Sequence, residues 1–491
     1  MFDKIPKAAQ LLPINQQVIH DEIAGAYGQE LLAELGELIE CYEVYEKGAE
    51  FTAEGAKDYV PANLRYRKAR QLINKEARFL FSKPVDFFIT VSCDSENKEA
   101  KAKAKEDASS LLDFLKAVLK GNGFNHKLVQ AARDCFVGKR IAILVNFNSS
   151  GIAVSFLPSL EFVFDTEPQD AGKITKLVCF YTIQDSRNRQ EQRIYRKKYW
   201  MQDGYCWFVE EIRDGSNNIV ETVSPEQRTE LSFIPAVVVV NDGLLGDMQG
   251  ESEVEQLADS ESWFSRLANA DMDAERKSMN PIKYTVNASP ECLANIGNSA
   301  GSFWDLQSDP SLLQDGITSM SVGMLESGMS YSAALSATLD RISSDMHDVL
   351  DVPDVSPDAL KGVVSSGKTL KAIYWGLIVR CDEKMLTWRP ALECVAQMIL
   401  DGARLYPESA KVYADKLPDV EYQVSVDNSY PLPEDETEEK QTDMQEVASR
   451  TRSVKSYLKK WRNMSDDEAD EELQQITREQ RMFEDSFEVE T

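Results

Sequence analysis

The stretch that most restricts this chain lies between Gly250 and Leu350. Residues 250–279, GESEVEQLADSESWFSRLANADMDAERKSM, contain no proline and no internal glycine, and predict one helix that stops at Asn280-Pro281. At about 1.5 Å per residue that helix is a rod of roughly 45 Å. A compact insert follows: a strand at KYTVNA, a short helix begun by Ser289-Pro290, and a strand at GSFWDLQ. A second helix is predicted from Gly328 to Leu350. Two rigid rods separated by a small knob thus follow one another in the chain.

The rest of the 491-residue chain is enough for several packing units. Helices are predicted over 28–47 and 62–82, the second with Ala69, Leu72, Ile73, Ala77, Leu80 and Phe81 on one stripe. Pro84 ends it and VDFFITV follows as a strand. Residues 94–107 read as a solvated loop or the exposed start of a helix, and two helices then stop at Gly121 and Gly138, where a C-cap would sit. From 139 to 240 apolar residues alternate, which predicts a β-rich block opened by a hairpin across NSSG and closed by FIPAVVVV. The longest helix runs from about Lys368 to Ala403; its first half, LKAIYWGLIV, is apolar nearly all round and predicts deep burial, and Pro390 predicts a kink. A strand at EYQVSV and an acidic helical tail complete a mixed α+β, helix-rich chain.

Composition excludes several functions. A net charge of -28 argues against a surface that grips nucleic acid or anionic membrane by electrostatics, though not against one that DNA passes without sticking. No apolar run is long enough to span a bilayer, and the N-terminus has no secretory core, so a cytoplasmic site of synthesis is expected. The eight cysteines show no CxxC spacing and read as buried free thiols. His20, His126 and His347 are too dispersed for a metal site or a triad, and no metal or cofactor is expected.

GVVSSGKT, Gly362 to Thr369, satisfies the phosphate-loop pattern, with Lys368 to neutralise phosphates and Thr369 to hold Mg²⁺. A working loop follows a buried strand, however, and DVPDVSPDALK precedes this one. The other reading is a Gly/Ser loop running into a helix, with Ser366 as N-cap. The basic, aromatic run DSRNRQEQRIYRKKYW, on alternating strands, reads as a solvated sheet face or subunit contact rather than a nucleic-acid platform.

Several stretches, in collinear order, resemble the portal proteins of tailed phages, of the type found in Gram-positive siphophages. They are Asn63–Ile89 (NLRYRKARQLINKEARFLFSKPVDFFI), Gly138–Glu167, Ile234–Asp273, Asp351–Tyr374 (DVPDVSPDALKGVVSSGKTLKAIY) and Leu432–Ile476. The resemblance covers about Gly28 to Ser486. It also reassigns the GKT run: the family's Ser-Gly-x-x-x-Lys corresponds to Ser366, Gly367 and Lys371, with a structural role.

What the resemblance implies is a non-enzymatic ring, commonly of about twelve subunits, at one capsid vertex. It implies a wing at 1–249, stem helices at 250–280 and 323–352, and a clip at 281–322. A tunnel loop at 353–367, a long kinked helix with its return strand at 368–433, and an acidic helical crown at 434–491 complete it. Implied partners are further copies of the chain, the terminase large subunit and a head–tail adaptor at the clip, major capsid and scaffolding proteins around the wing, and double-stranded DNA in transit. The implied location is the virion, after assembly in the host cytoplasm. Tyr284, Glu291, Phe303 and Trp304 are the expected clip contacts. Lys361, Gly362, Val363, Val364, Ser365, Ser366 and Lys368 are the expected DNA-facing loop, with Lys361 and Lys368 as weak contacts or as ordinary solvated lysines. Duplex DNA carries about one charge per 1.7 Å of axis, and acidic walls would keep it centred. Glu251, Glu253, Glu255, Asp259, Glu261, Asp271 and Asp273 are the expected wall. A P-loop ATPase using Lys368 and Thr369, or an acidic helical scaffold or adaptor, remain the alternatives.

Overall fold

Local periodicity and helix or strand preference set most elements, and packing sets their ends. The computed structural model describes residues 2–4, 28–49, 60–92, 98–167, 170–185, 192–214, 218–244, 247–279, 282–289, 321–325, 329–355, 367–410, 413, 417–432, 436–462, 464 and 468–478. In chain order these form β1 (Phe2–Lys4), α1 (Gly28–Lys47), α2 (Lys68–Phe81), β2 (Asp86–Val91), α3 (Lys98–Gly121) and α4 (Phe124–Val137). Then come β3 (Arg140–Asn148), β4 (Gly151–Pro158), β5 (Phe162–Glu167), β6 (Asp170–Asp185), β7 (Gln192–Gln202), β8 (Tyr205–Arg213), β9 (Ile219–Arg228) and β10 (Ala236–Val240). The remainder is α5 (Glu253–Met279), β11 (Ile282–Val286), β12 (Ser321–Leu325), α6 (Ser332–Val349), α7 (Gly367–Ile373), α8 (Trp375–Leu405), α9 (Pro407–Ala410), β13 (Tyr422–Asp427), α10 (Glu436–Ala448) and α11 (Val454–Arg462), with a last helical stretch at 468–478.

The chain divides into two units, Met1–Val352 with Arg380–Ser429, and Pro353–Val379 with Tyr430–Thr491. In the first, α2 packs on α1, α4 and α5. The Phe81 ring meets Trp388 edge-on at 5.1 Å. The β-rich block is two antiparallel sheets. One has the order β1-β6-β7-β8-β9 with β5 also on β6; the other is β10-β3-β4. Ala142, Leu144, Leu157, Phe162, Leu177, Cys179, Tyr199, Cys206, Leu231, Ile234 and Ala236 form the core between them. At about 25 cal/mol per Å² of apolar area, each large side chain there contributes roughly 1.5–3 kcal/mol. β13 pairs with β2, and β11 with β12.

Residues 98–107 are the exposed start of a helix, one of the two readings of 94–107, because Ala, Lys and Glu are strong helix formers and continue the turn begun by Leu111 and Phe114. Other elements differ from the sequence expectation. Helix α2 starts at Lys68 rather than near 62, because the backbone of residues 60–67 is hydrogen-bonded to side chains of α5 instead. Gly138 ends α4 with φ -104, so it is not a left-handed cap; its place is one of close approach, where a Cβ would strike the Tyr42 hydroxyl at 2.6 Å and Ser159 Oγ. Lys139 takes the left-handed conformation instead, at φ 67. The long helix has a turn at Tyr374, across which the bonds Tyr374 N to Leu370 O and Ile378 N to Tyr374 O carry the ladder on, and Pro390 lies within its second part. Pro390 is exposed, so water can take the carbonyl its missing N–H leaves free.

Burial along this helix is the reverse of the expectation. Within 370–379 only Leu377 is buried, and Trp375 is 65% exposed. The buried residues, Cys381, Met385, Trp388, Leu392, Val395, Ile399 and Leu400, follow in the second half.

In the second unit, α11 is basic, carrying Lys455, Lys459, Lys460 and Arg462 within the acidic tail. Asp443 of α10 gathers the cations: Arg452 pairs with it, Lys460 Nζ lies at 3.0 Å, and Trp461 Nε1 donates at 2.7 Å. Lys455 reaches Asp470 at 2.7 Å.

Candidate functional site: a two-helix hairpin and its root

Helix α6 packs against α5. The two run antiparallel: Tyr331, at the start of α6, faces Asp271 and Glu275, while Lys68 links Ser343 of α6 to the Phe264 ring of α5. Strands β11 and β12 continue the hairpin, with Tyr284 opposite Gly323. The Tyr284 ring lies over Gly323, in the space that a Cβ there would take.

Helix α5 buries Val254, Leu257, Phe264 and Ala268. Spaced three or four residues apart, they define one stripe. Glu261 lies in the centre of that stripe and Glu253 at its margin, so both are buried carboxylates. This corrects their expected place on a solvent-facing wall. Glu261 Oε2 accepts from Ala69 N at 2.7 Å and Oε1 from Ala49 N at 3.4 Å. It thereby caps α2, whose own N-cap residue Arg67 makes no capping bond. Burial raises the Glu261 carboxyl, with the two backbone N–H groups opposing.

Asp273 and Asn269 are likewise engaged. Asp273 Oδ1 accepts from Ala62 N at 2.8 Å, and Asn269 both accepts from Leu64 N and donates to Leu64 O at 2.7 Å. Residues 60–67 thus lie as a strap along α5. Glu255 is exposed but pairs with Lys139 at 3.0 Å. Asp271 is half-buried, and Glu251 and Asp259 are exposed. Near Asp259 the exposed face also carries Trp263 with Arg266 over its ring at 5.4 Å, so that face is mixed in charge.

The acidic, unencumbered surface is on α6. Met346 is its one buried residue. Its exposed positions are Ser332, Ala333, Ala334, Ser336, Ala337, Asp340, Arg341, Ser344, Asp345, Asp348 and Val349. Asp340, Asp345 and Asp348 were not among the residues singled out from the sequence. The helical wheel of SAALSATLDRISSDMHDV, with its small residues and scattered Asp, is the signal that points to them.

The root of α5 is ionic. Arg380 Nε donates to Glu76 Oε1 at 2.9 Å, and Lys384 Nζ meets Glu253 Oε1 at 2.7 Å and Asn241 Oδ1 at 2.8 Å. Arg140 pairs with Glu34 and donates to Gln249 O at 3.0 Å. Lys139 also reaches Glu37 at 3.3 Å. Five segments of the chain, α1, α2, Lys139–Arg140, Asn241 and α8, thereby meet at the root of α5.

Of the other sequence-derived residues, Tyr284 is 44% exposed on β11. Glu291, Phe303, Trp304, Lys361, Gly362, Val363, Val364, Ser365 and Ser366 lie outside the described residues. Lys368 is in the first turn of α7. The apolar strand that ends at Asp242 pairs antiparallel with β3, whereas a phosphate-loop strand lies in a parallel sheet. The basic run on β7 is neutralised across the sheet: Arg196 meets Glu211 at 2.9 Å and Lys197 meets Glu210 at 2.6 Å. Among the described residues no helix is long and apolar enough to cross a membrane, and no His/Cys/Asp/Glu group could hold a metal ion.

No curated protein matches this chain. The family model described as phage portal protein, SPP1 Gp6-like, spans residues 29–485, which takes in both sheets, the hairpin with its insert, and the C-terminal helices. By that match, and by the helix–insert–helix order built above, the chain belongs to the phage portal protein family.

Proposed function

We propose that copies of this chain form a ring, commonly of about twelve, at one vertex of the virion capsid, through which double-stranded DNA is packaged and ejected. In this reading 1–249 is the wing, α5 and α6 are the stem, the insert 281–322 is the clip, and the tail 434–491 is the crown. Residues 353–367, with Lys361 and Lys368 at their border, form the loop that approaches DNA. The terminase large subunit and the head–tail adaptor engage the clip around Tyr284, Glu291, Phe303 and Trp304. Capsid and scaffolding proteins surround the wing.

The observation that carries this reading is α6, an 18-residue helix with one buried residue. Its isolated helicity would be marginal, so neighbouring copies or a lined channel account for its length better than a solitary fold. The uncovered Trp375 and Val379 are further surface for copies to share. The face that passes DNA is assigned to α6. Small residues and Asp340, Asp345 and Asp348 offer the phosphates one cation, Arg341, so the duplex meets repulsion rather than a brake.

Electron microscopy of the purified protein, alone and co-expressed with its capsid proteins, is expected to show rings with a central hole; monomers in both preparations would end the proposal. Replacing Asp340, Asp345 and Asp348 together by Lys is expected to leave ring formation intact while slowing packaging, with more retention of DNA at low salt than at high. Unchanged packaging would remove α6 from the channel wall.

A further inference from the structure

The root of the hairpin holds more acid than base. Glu76 of α2, Asp242 after β10 and Glu253 of α5 face Arg380 and Lys384 of α8. Glu76 and Glu253 are each 0% exposed. Arg380 donates to Glu76 Oε1 at 2.9 Å and to Glu253 Oε1 at 3.2 Å. The Lys384 ammonium donates to Asn241 Oδ1 at 2.8 Å and Asp242 Oδ2 at 3.3 Å, and pairs with Glu253 Oε1 at 2.7 Å and Glu76 Oε1 at 3.6 Å. Every donor that reaches the two glutamates therefore lands on an Oε1. Both Oε2 atoms are buried without a hydrogen-bond partner.

Two buried carboxylate oxygens without a donor, with three acids against two bases, are costly if every group is ionised. One proton removes the excess charge and leaves one ionised oxygen, rather than two, without a donor. We propose that Glu76, beside the Glu253 carboxylate, is a buried proton-binding site that holds its proton at neutral pH. The root then carries two negative and two positive charges.

The remaining facing groups fit. Burial and then the Glu253 carboxylate push the Glu76 carboxyl up to about 8, against the pull of Lys384 and Arg380. Cys381 of α8 and Cys135 of α4 are also at this joint, and burial raises both thiols far enough to keep them neutral. Lys384 lies over the Phe136 ring of α4 at 4.3 Å, which closes the remaining side.

The sign of the pH effect follows. Between the ordinary carboxyl value of 4.5 and about 8, the folded chain holds a proton that the unfolded chain has released. Stability conferred by this site is full below that window, falls as pH rises through it, and levels off above. Because Glu253 is the first residue of α5, loss of the proton places an uncompensated charge where the hairpin leaves the body of the subunit.

The test is an infrared titration of the full chain between about pH 6 and pH 9.5, paired with thermal unfolding over the same range. The wild type is expected to lose a protonated-carboxyl C=O band as pH rises, and its unfolding midpoint to fall. Glu76→Gln is expected to lack that band and to show a flatter midpoint profile, since the amide keeps the donor without the charge. Glu253→Gln, if Glu76→Gln does not fold, is expected to lack it too. A wild type with no such band in that window, or variants whose profiles parallel it, would overturn the site; an ionised pair bridged by water would give that result.

Discussion

Glu261 supplies the sharpest test of how the hairpin is anchored. Replacing it by Ala leaves the N–H groups of Ala49 and Ala69 without an acceptor, and both residues are buried. An orphaned buried donor costs about 1–3 kcal/mol. The Ala69 bond, at 2.7 Å to a carboxylate and at a helix start, belongs at the upper end; the Ala49 contact, at 3.4 Å, belongs at the lower. Relief of the carboxylate's own desolvation offsets part of the loss. A net destabilisation of about 3 kcal/mol is expected for Glu261→Ala. About 1 kcal/mol is expected for Glu261→Gln, which keeps the shape and one acceptor oxygen. Urea unfolding of the isolated chain, followed by the fluorescence of its tryptophans and by far-ultraviolet dichroism, measures both. If Glu261 faced a water-filled wall, both substitutions would lie within about 0.5 kcal/mol of wild type. That result would refute the buried-cap assignment.

Two further outcomes test the packing. Gly402→Ala in α8 would place a Cβ in the Phe147 ring, which stacks on Tyr406 at 5.6 Å; a loss of about 1–3 kcal/mol is expected where an exposed helical Gly→Ala normally stabilises, and a gain would show that the ring yields freely. Burial pushes the thiols of Cys41 and Cys179 up to about 12 and Cys206 up to about 11, and Cys135 and Cys381 higher still. Alkylation of the native protein near pH 8, mapped by mass spectrometry, should therefore spare all five until denaturant is added, and rapid labelling of any of them would contradict its burial.

Most of the architecture was legible without coordinates. Periods of 3.6 and 2 mark out α1, α4, the strands from β3 to β10, and the two rods around the insert, because each of those segments buries one face and carries its own pattern. Family membership was legible for the same reason, as collinear stretches each with a local signature. Where local preference and tertiary contact disagree, the chain follows the contact. Residues 60–67 form a strap because Asn269 and Asp273 hold its backbone, not because 60–67 lacks helix formers.

The charges divide along the same line. Sequence alone determined that the rod 250–279 is rich in acid; it is a property of composition and holds in any fold. Which carboxylates meet water was decided only by the tertiary structure, since that depends on what packs against each side of the helix. The stripe of Val254, Leu257, Phe264 and Ala268 takes Glu253 and Glu261 inward, the strap takes Asp273, and Lys139 takes Glu255. The exposed aspartates of α6 remain because α5 covers the other side of that helix and, among the described residues, none covers theirs. An acid count is additive along a chain, whereas exposure is a relation between distant segments, and only their meeting in space determines it.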